Sequence, residues 1–182
     1  MKLSILTPTL HERREFFDAI SAQLIPQLTP RVEWLVLGDQ RGMSLGKKMN
    51  LLYEMAQGEY IAVMNDDDII PDNYIHLMLK GCDSGLDVIS GKIWSGHINN
   101  KHPITIEEYM KVPGIFQYHS YQNVLPAKAH LVKKYSTWVD APAKNSVGQD
   151  LVGVNKIMAT NPTVYRTTDV FYYHCVGKDV GR

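Results

Sequence analysis

The sequence predicts an α/β domain with a mainly parallel central sheet flanked by helices. Strand-like and helix-like segments alternate from residue 3 to residue 94, and that alternation implies right-handed crossovers between parallel strands. Residues 60–64 (YIAVM) are apolar throughout, as a strand covered on both faces requires. Acidic residues stand directly after two of the strand segments: Asp39 after residues 32–37, and Asp66, Asp67 and Asp68 after residues 60–64. In open α/β sheets ligands bind in the crevice beyond the carboxyl ends of the strands, so these carboxylates fall where a site is expected.

In chain order, residues 3–6 form a first short strand that Thr7-Pro8-Thr9 ends in a turn. A helix follows the charged run 11–15 (HERRE): Phe16, Ile20 and Leu24 recur at helical spacing until Pro26 stops it. Residues 32–37 (VEWLVL) form a second strand, ending at Gly38-Asp39. Ser44 caps a helix with an apolar stripe of Leu45, Met49, Leu52 and Ala56, and Gly58 punctuates its end. The strand 60–64 runs into the acidic cluster. Pro71-Asp72-Asn73 opens a helix to Gly81, and residues 86–94 read as another strand with Gly91 inside it. From Ser95 to Pro126 the periodicity is lost; the stretch is rich in His, Tyr, Asn and Pro, and irregular structure over one edge of the site is expected. Residues 127–135 form a short basic helix or turn carrying Lys128, His130, Lys133 and Lys134, with Trp138 beyond it. Gln149 and Asp150 start a helix through Leu151, Val154 and Met158, and residues 163–174 are a last strand.

At 182 residues the chain is long enough for one domain with a sizeable core, taken as 1–182. Lys plus Arg equals Asp plus Glu at 19 each, so no global basic field favours nucleic acid or an anionic membrane. Cys82 and Cys175 lie far apart without metal-ligand spacing, which fits a reducing, cytoplasmic compartment better than a disulfide framework. The apolar N-terminal run is interrupted by Thr7-Pro8-Thr9 and followed at once by charge, unlike a signal peptide, and no segment reaches the roughly 18 apolar residues of a membrane span.

Asp66, Asp67 and Asp68 have two readings. Asp is a common turn residue and helix cap, yet three in a row exceed what a cap requires. Adjacent like charges repel, and a hard cation with oxygen ligands relieves that repulsion: Mg²⁺ in particular is held by one or two carboxylates together with substrate phosphates.

These motifs together resemble the nucleotide-sugar-dependent glycosyltransferases of family 2, which have the GT-A (Rossmann-like) fold. SILTPT before a charged helix start is similar to that family's first strand and turn, and WLVLGD to its second strand, with Asp39 where an acidic residue contacts the base. Gly46 to Asn50 and GEYIAVMNDDD resemble the family's Gly-to-Asn helix and its strand leading into the DxD-type motif. Gln149-Asp150 is similar to the acidic motif at a helix start. The resemblance covers the first half best. It implies a donor-binding half, 1–94, and an acceptor-binding and catalytic half, 95–182. The donor, an expected UDP-sugar, would lie against Pro8, Thr9, Glu12, Asp39, Lys48, Asn50, Asp66 and Asp67. Mn²⁺ or Mg²⁺ would be held by Asp66 and Asp68, with Asp67 the alternative main ligand and His174 a late further ligand. Asp150 would be the general base of an inverting transfer to an acceptor hydroxyl. Asn65 stands where an Asp is frequent, Met49 where an Arg is common (leaving Lys47 or Lys48 as substitutes), and Gln149 for a frequent Glu; the chain is also shorter than typical members.

Two other classes compete. A nucleotidyltransferase also uses Mg²⁺ and a doubly wound sheet, but its glycine-rich basic loop after the first strand is missing from TPTLHERRE. A binding module without turnover is the non-enzymatic alternative, although residues 65–71 lack the glycine of a calcium loop. The acceptor stays open among a saccharide, a lipid-linked sugar, a protein and a modified DNA base. Zero net charge disfavours DNA, while the Lys128–Lys134 cluster beside Tyr135 and Trp138 favours a phosphate-bearing acceptor.

Overall fold

The computed structural model describes residues 1–98, 103–118, 124–136 and 149–177. It contains strands β1 (Leu3–Leu10), β2 (Val32–Asp39), β3 (Tyr60–Val63), β4 (Val88–Ile98), β5 (Gly114–Tyr118), β6 (Ala127–Lys128) and β7 (Val164–Gly177). The helices are α1 (Arg14–Leu24), α2 (Leu45–Met55), α3 (Tyr74–Asp83), α4 (Ile106–Tyr109), α5 (Ala129–Tyr135) and α6 (Gln149–Met158). All seven strands form one sheet in the order β2-β1-β3-β6-β4-β5, with β7 on the other side of β4.

Strand direction follows from the pairings. β1 runs parallel to β2 and β3; β6 is antiparallel to both β3 and β4, so β3 and β4 point the same way, and β7 is parallel to β4. Five strands thus share one direction, and only β5 and β6 oppose it. β3 is buried along its whole length, as its unbroken apolar run requires.

The first strand is longer than expected. Thr7, Pro8 and Thr9 do not turn: they pair with Val36, Leu37 and Gly38, and β1 continues to Leu10. A proline is tolerated here because its missing N–H has no partner to meet. The Leu6 carbonyl accepts from Met64 N on the β3 side, Pro8 faces that side by alternation, and the pairing with β3 ends at Leu6. The extension carries Thr9 to the level of Asp39.

The helices pack as their stripes indicate. Ile20 and Leu24 of α1 and Met49, Leu52 and Ala56 at the end of α2 are buried in the main core, whereas Leu45, expected in that stripe, is exposed at the helix start. Ser44 caps α2 by accepting from Lys47 N at 3.1 Å. Between α2 and β3, Gly58 lies against β1: a Cβ there would stand 2.5 Å from Ser4 N, and its own amide donates to Ser4 Oγ at 2.7 Å.

The second half is more ordered than expected. Residues 95–126 do not lose regular structure altogether: β4 continues to Ile98, α4 follows behind a Thr105–Glu108 capping box, and β5 pairs back onto β4. A small second core of Ile69 and Tyr109, flanked by Trp94, Ile104, Val112 and Tyr173, fixes this excursion to the sheet. The Tyr109 hydroxyl donates to the His174 carbonyl at 2.6 Å and accepts from Gly96 N at 2.7 Å. In the basic segment, Lys128 belongs to β6 and pairs with Asp87 at 3.4 Å, and Lys133 of α5 donates to the Ala56 carbonyl at 2.8 Å, so two of the three lysines are engaged internally. Trp138 lies outside the described residues. Among the described residues, no helix is long and apolar enough to cross a membrane.

Candidate active site

The carboxyl ends of β1, β2 and β3 meet at one corner, and a chain of polar contacts joins them. From β2, Asp39 forms an ion pair with Lys48 of α2. The Lys48 ammonium also donates to the Thr9 carbonyl at the end of β1, at 2.7 Å. Thr9 Oγ1 in turn donates to Asp66 Oδ2, beyond β3, at 2.6 Å. The sheet register makes this possible, because Thr9 pairs with Gly38, one residue before Asp39.

Lys48 is 3% exposed and Asp39 is largely covered, so their pairing is an internal one. Burial alone would push the Asp39 carboxyl upward. The Lys48 ammonium and the amides of Met43 and Gly42 outweigh it and hold the group below its usual value, with Met43 N donating at 2.6 Å. The turn that follows is strained: Arg41 has φ of 61°, a left-handed backbone without glycine. Its side chain reaches across to Glu12, donating from Nε at 2.9 Å, and this exposed pair joins the turn after β2 to the one after β1.

The three aspartates have different surroundings. Asp66 accepts from Arg13 Nε at 3.0 Å and Nη2 at 2.7 Å in addition to Thr9, so both of its oxygens are engaged. Asp67 meets the same Arg13 Nη2 at 2.9 Å, but its side chain is 27% exposed against 6% for Asp66. Asp68 is buried and turned away: it accepts from Asn65 Nδ2 at 2.8 Å and lies against Tyr172 and Tyr74. Burial is the main cause that raises both phenols far above their usual range, with the Asp68 charge second; both therefore stay protonated beside it.

Arg13 was not singled out by the sequence, nor was Tyr172. Two adjacent arginines at a helix start, where acidic residues complement the dipole, were the available signal for the first. Tyr172 places its hydroxyl on the loop from β7: Asn65 N donates to it at 3.0 Å.

An antiparallel bridge joins Ile69 to Tyr173, so His174 stands across from Asp68 at the next position, on the same face of β7 as Tyr172 by alternation. Of the remaining expected residues, Pro8 lies in β1 beside Thr9, Asn50 is half-buried in α2, and Asp150 is the second residue of α6 with its side chain outside the described residues. Among the described residues, no three His, Cys, Asp or Glu side chains are gathered closely enough to hold a metal ion. In donor chemistry the corner nonetheless fits a hard divalent cation: carboxylate oxygens are what Mg²⁺ and Mn²⁺ take, and Asp67 presents them toward solvent.

The model of the family described as glycosyl transferase family 2 matches residues 18–143. Among solved structures, S. aureus TarS 1-349 in complex with UDP has a TM-score of 0.66 at 17% identity, covering 97% of this chain and 61% of that one. The same protein in complex with UDP-GlcNAc gives 0.67 at 15% identity, covering 100% and 60%. CMP:2-keto-3-deoxy-manno-octonic acid synthetase complexed with CTP gives 0.57 at 8% identity, covering 94% and 91%. At these identities the likeness is one of fold, and the chain spans about 60% of TarS 1-349. No curated protein matches the sequence.

Proposed function

This chain belongs to glycosyl transferase family 2, and on that premise we propose that it transfers a sugar from a nucleotide-diphosphate sugar to an acceptor hydroxyl with inversion at the anomeric carbon. The observation that carries the reading is the polar chain Asp39–Lys48–Thr9–Asp66, which ties the three strand ends into one crevice of the kind that holds nucleotides in open α/β sheets. A uridine donor is favoured because the structurally similar TarS is seen with UDP and with UDP-GlcNAc. The nucleotidyltransferase alternative shares this fold at the level of the CMP synthetase likeness, but the segment after β1 reads HERRE and holds no glycine to cradle a triphosphate.

In this reading the base and ribose lie between the ends of β1 and β2. Asp39, held ionised by Lys48, accepts hydrogen bonds from the base, and Pro8 and Thr9 form the floor. Glu12 and Arg41 border the opening, and Asn50 lies behind it on α2. Asp67, the carboxylate of the three that faces solvent, would hold Mn²⁺ or Mg²⁺ together with the donor phosphates, with Asp66 and Asp68 joining only on release from their present hydrogen-bond partners; when bound, the ion would act as a Lewis acid on the departing diphosphate. The acceptor oxygen attacks the anomeric carbon as the bond to the phosphate oxygen breaks. The bonding pair leaves with the diphosphate, and the acceptor proton passes to the Asp150 carboxylate. Attack opposite the leaving group inverts the centre.

Release of nucleoside diphosphate from a panel of nucleotide-sugars, with Mn²⁺ and with EDTA, tests the reading in the wild type and in Asp67→Asn. Metal-dependent release that the variant loses is the expected result. If no donor turns over under any condition while nucleotides still raise the melting temperature, the chain is a binding module and the transferase reading fails.

A further inference from the structure

Arg13 is the cation already present at the acidic corner. Its Nε and Nη2 atoms grip Asp66, Nη2 also reaches Asp67 at 2.9 Å, and its guanidinium lies 5.1 Å from the centre of the Phe16 ring. The side chain is only 16% exposed, and the contact spans the chain from the turn after β1 to the end of β3. Bidentate pairing of this kind is geometrically specific and orients both partners. With both Asp66 oxygens engaged by Arg13 and Thr9, a metal ion has to compete with these hydrogen bonds and with the Arg13 charge for Asp66. Asp68 is likewise fixed by Asn65, so Asp67 is the one carboxylate of the three that faces solvent, and it shares its charge with Arg13.

We propose that Arg13 is a resident counter-cation that keeps the acidic corner's affinity for free divalent metal low, so that the ion enters together with the nucleotide diphosphate. The donor phosphates then bring the oxygen ligands and the negative charge that the Arg13-neutralised corner lacks. Metal and nucleotide binding become coupled, each strengthening the other by the same factor. This rests on the transferase reading for the identity of the anion, but not for the effect of Arg13 on the metal.

The test is Mn²⁺ binding to the full chain, followed by the loss of the free-ion paramagnetic resonance signal, with and without UDP. In the wild type free Mn²⁺ binds weakly and UDP tightens it. Arg13→Gln, or Arg13→Met where a long apolar stem is needed to keep the contact with Phe16, tightens Mn²⁺ binding without nucleotide by roughly tenfold, since a positive charge a few ångströms from the ion has been removed. The coupling to UDP shrinks in step. A merely structural role for Arg13 would weaken metal binding instead, because a loosened corner presents its ligands less well. Unchanged or weaker Mn²⁺ binding in a variant that melts cooperatively would overturn the proposal, as would wild-type Mn²⁺ affinity that is already tight without nucleotide. If neither UDP nor any other nucleoside diphosphate binds, the transferase reading fails while the response of Mn²⁺ to Arg13 still stands or falls by itself.

Discussion

Replacing Lys48 with Met separates the structural role of the Asp39–Lys48 pair from its role in the site. The stem of Lys48 is 3% exposed and a methionine fills nearly the same volume, so little packing is lost. What is lost is the partner of a carboxylate whose side chain is 12% exposed, together with the hydrogen bond to the Thr9 carbonyl at 2.7 Å. Breaking a buried pair by removing one member costs about 3–5 kcal/mol, because the other charge stays behind without compensation. Asp39 keeps its bonds from Met43 and Gly42 and some water at the crevice edge, so the low end, about 3 kcal/mol, is expected. For a chain of this length that is a fall in melting temperature of roughly 6–12 °C. Adding Asp39→Asn to the Lys48→Met background removes the stranded charge and should restore about half of the loss. The pH dependence has a definite sign. The Asp39 carboxyl is held below its unfolded value in the wild type, so the pair's contribution is present above the ordinary carboxylate range and fades as pH falls through the folded value. In Lys48→Met the carboxyl rises instead, and the gap between variant and wild type narrows on acidification. Urea unfolding of the three proteins at pH 7 and pH 4.5 measures each quantity. A single-variant loss below about 1 kcal/mol, or a double variant no more stable than Lys48→Met, would refute the reasoning.

Three further outcomes follow from other parts of the molecule. Gly58→Ala sets a Cβ 2.5 Å from Ser4 N and 2.8 Å from the Leu3 carbonyl carbon, backbone that cannot rotate away, and should cost about 3 kcal/mol in chemical denaturation. Asp87 accepts from Thr163 Oγ1 at 2.7 Å and Thr163 N at 2.9 Å, joining the start of β4 to the start of β7; Thr163 is the main cause holding its carboxyl below the usual value, with Lys128 adding to it. Asp87→Ala should therefore cost about 1–2 kcal/mol at pH 7, and the difference from wild type should vanish as pH falls below the folded value. Asp150→Asn should lower transfer by roughly 10²–10⁴ while leaving the dissociation constant for UDP within threefold, measured by calorimetry. A product that retains the donor's anomeric configuration by NMR would remove Asp150 from the role of base.

The first half of the fold was legible because its signals are local. The apolar run of β3, the Ser44 cap and the stripe of Met49, Leu52 and Ala56 each report on a burial that the residue's own neighbours already imply. The placement of Asp39 and of Asp66 to Asp68 at strand ends was legible for the same reason. Thr7-Pro8-Thr9 misled, since a proline signals a turn unless the strand beyond it has no partner on that side, and the early end of the β3 pairing is invisible in the sequence. The antiparallel insertion of β5 and β6 escaped because those strands are short and depend on partners far along the chain. Arg13 shows the limit most sharply. In the sequence it is one of two arginines in a charged helix start, indistinguishable from Arg14, which folds back to Asp18 on the exposed face of the same helix. Only the return of the chain 53 residues later brings Asp66 beneath it and makes one guanidinium part of the site and the other part of the surface. Asp66, which a local reading assigns to a metal, thus already has a cation, and Asp67 shares it, so any ligand that draws on these two carboxylates has to compete with Arg13.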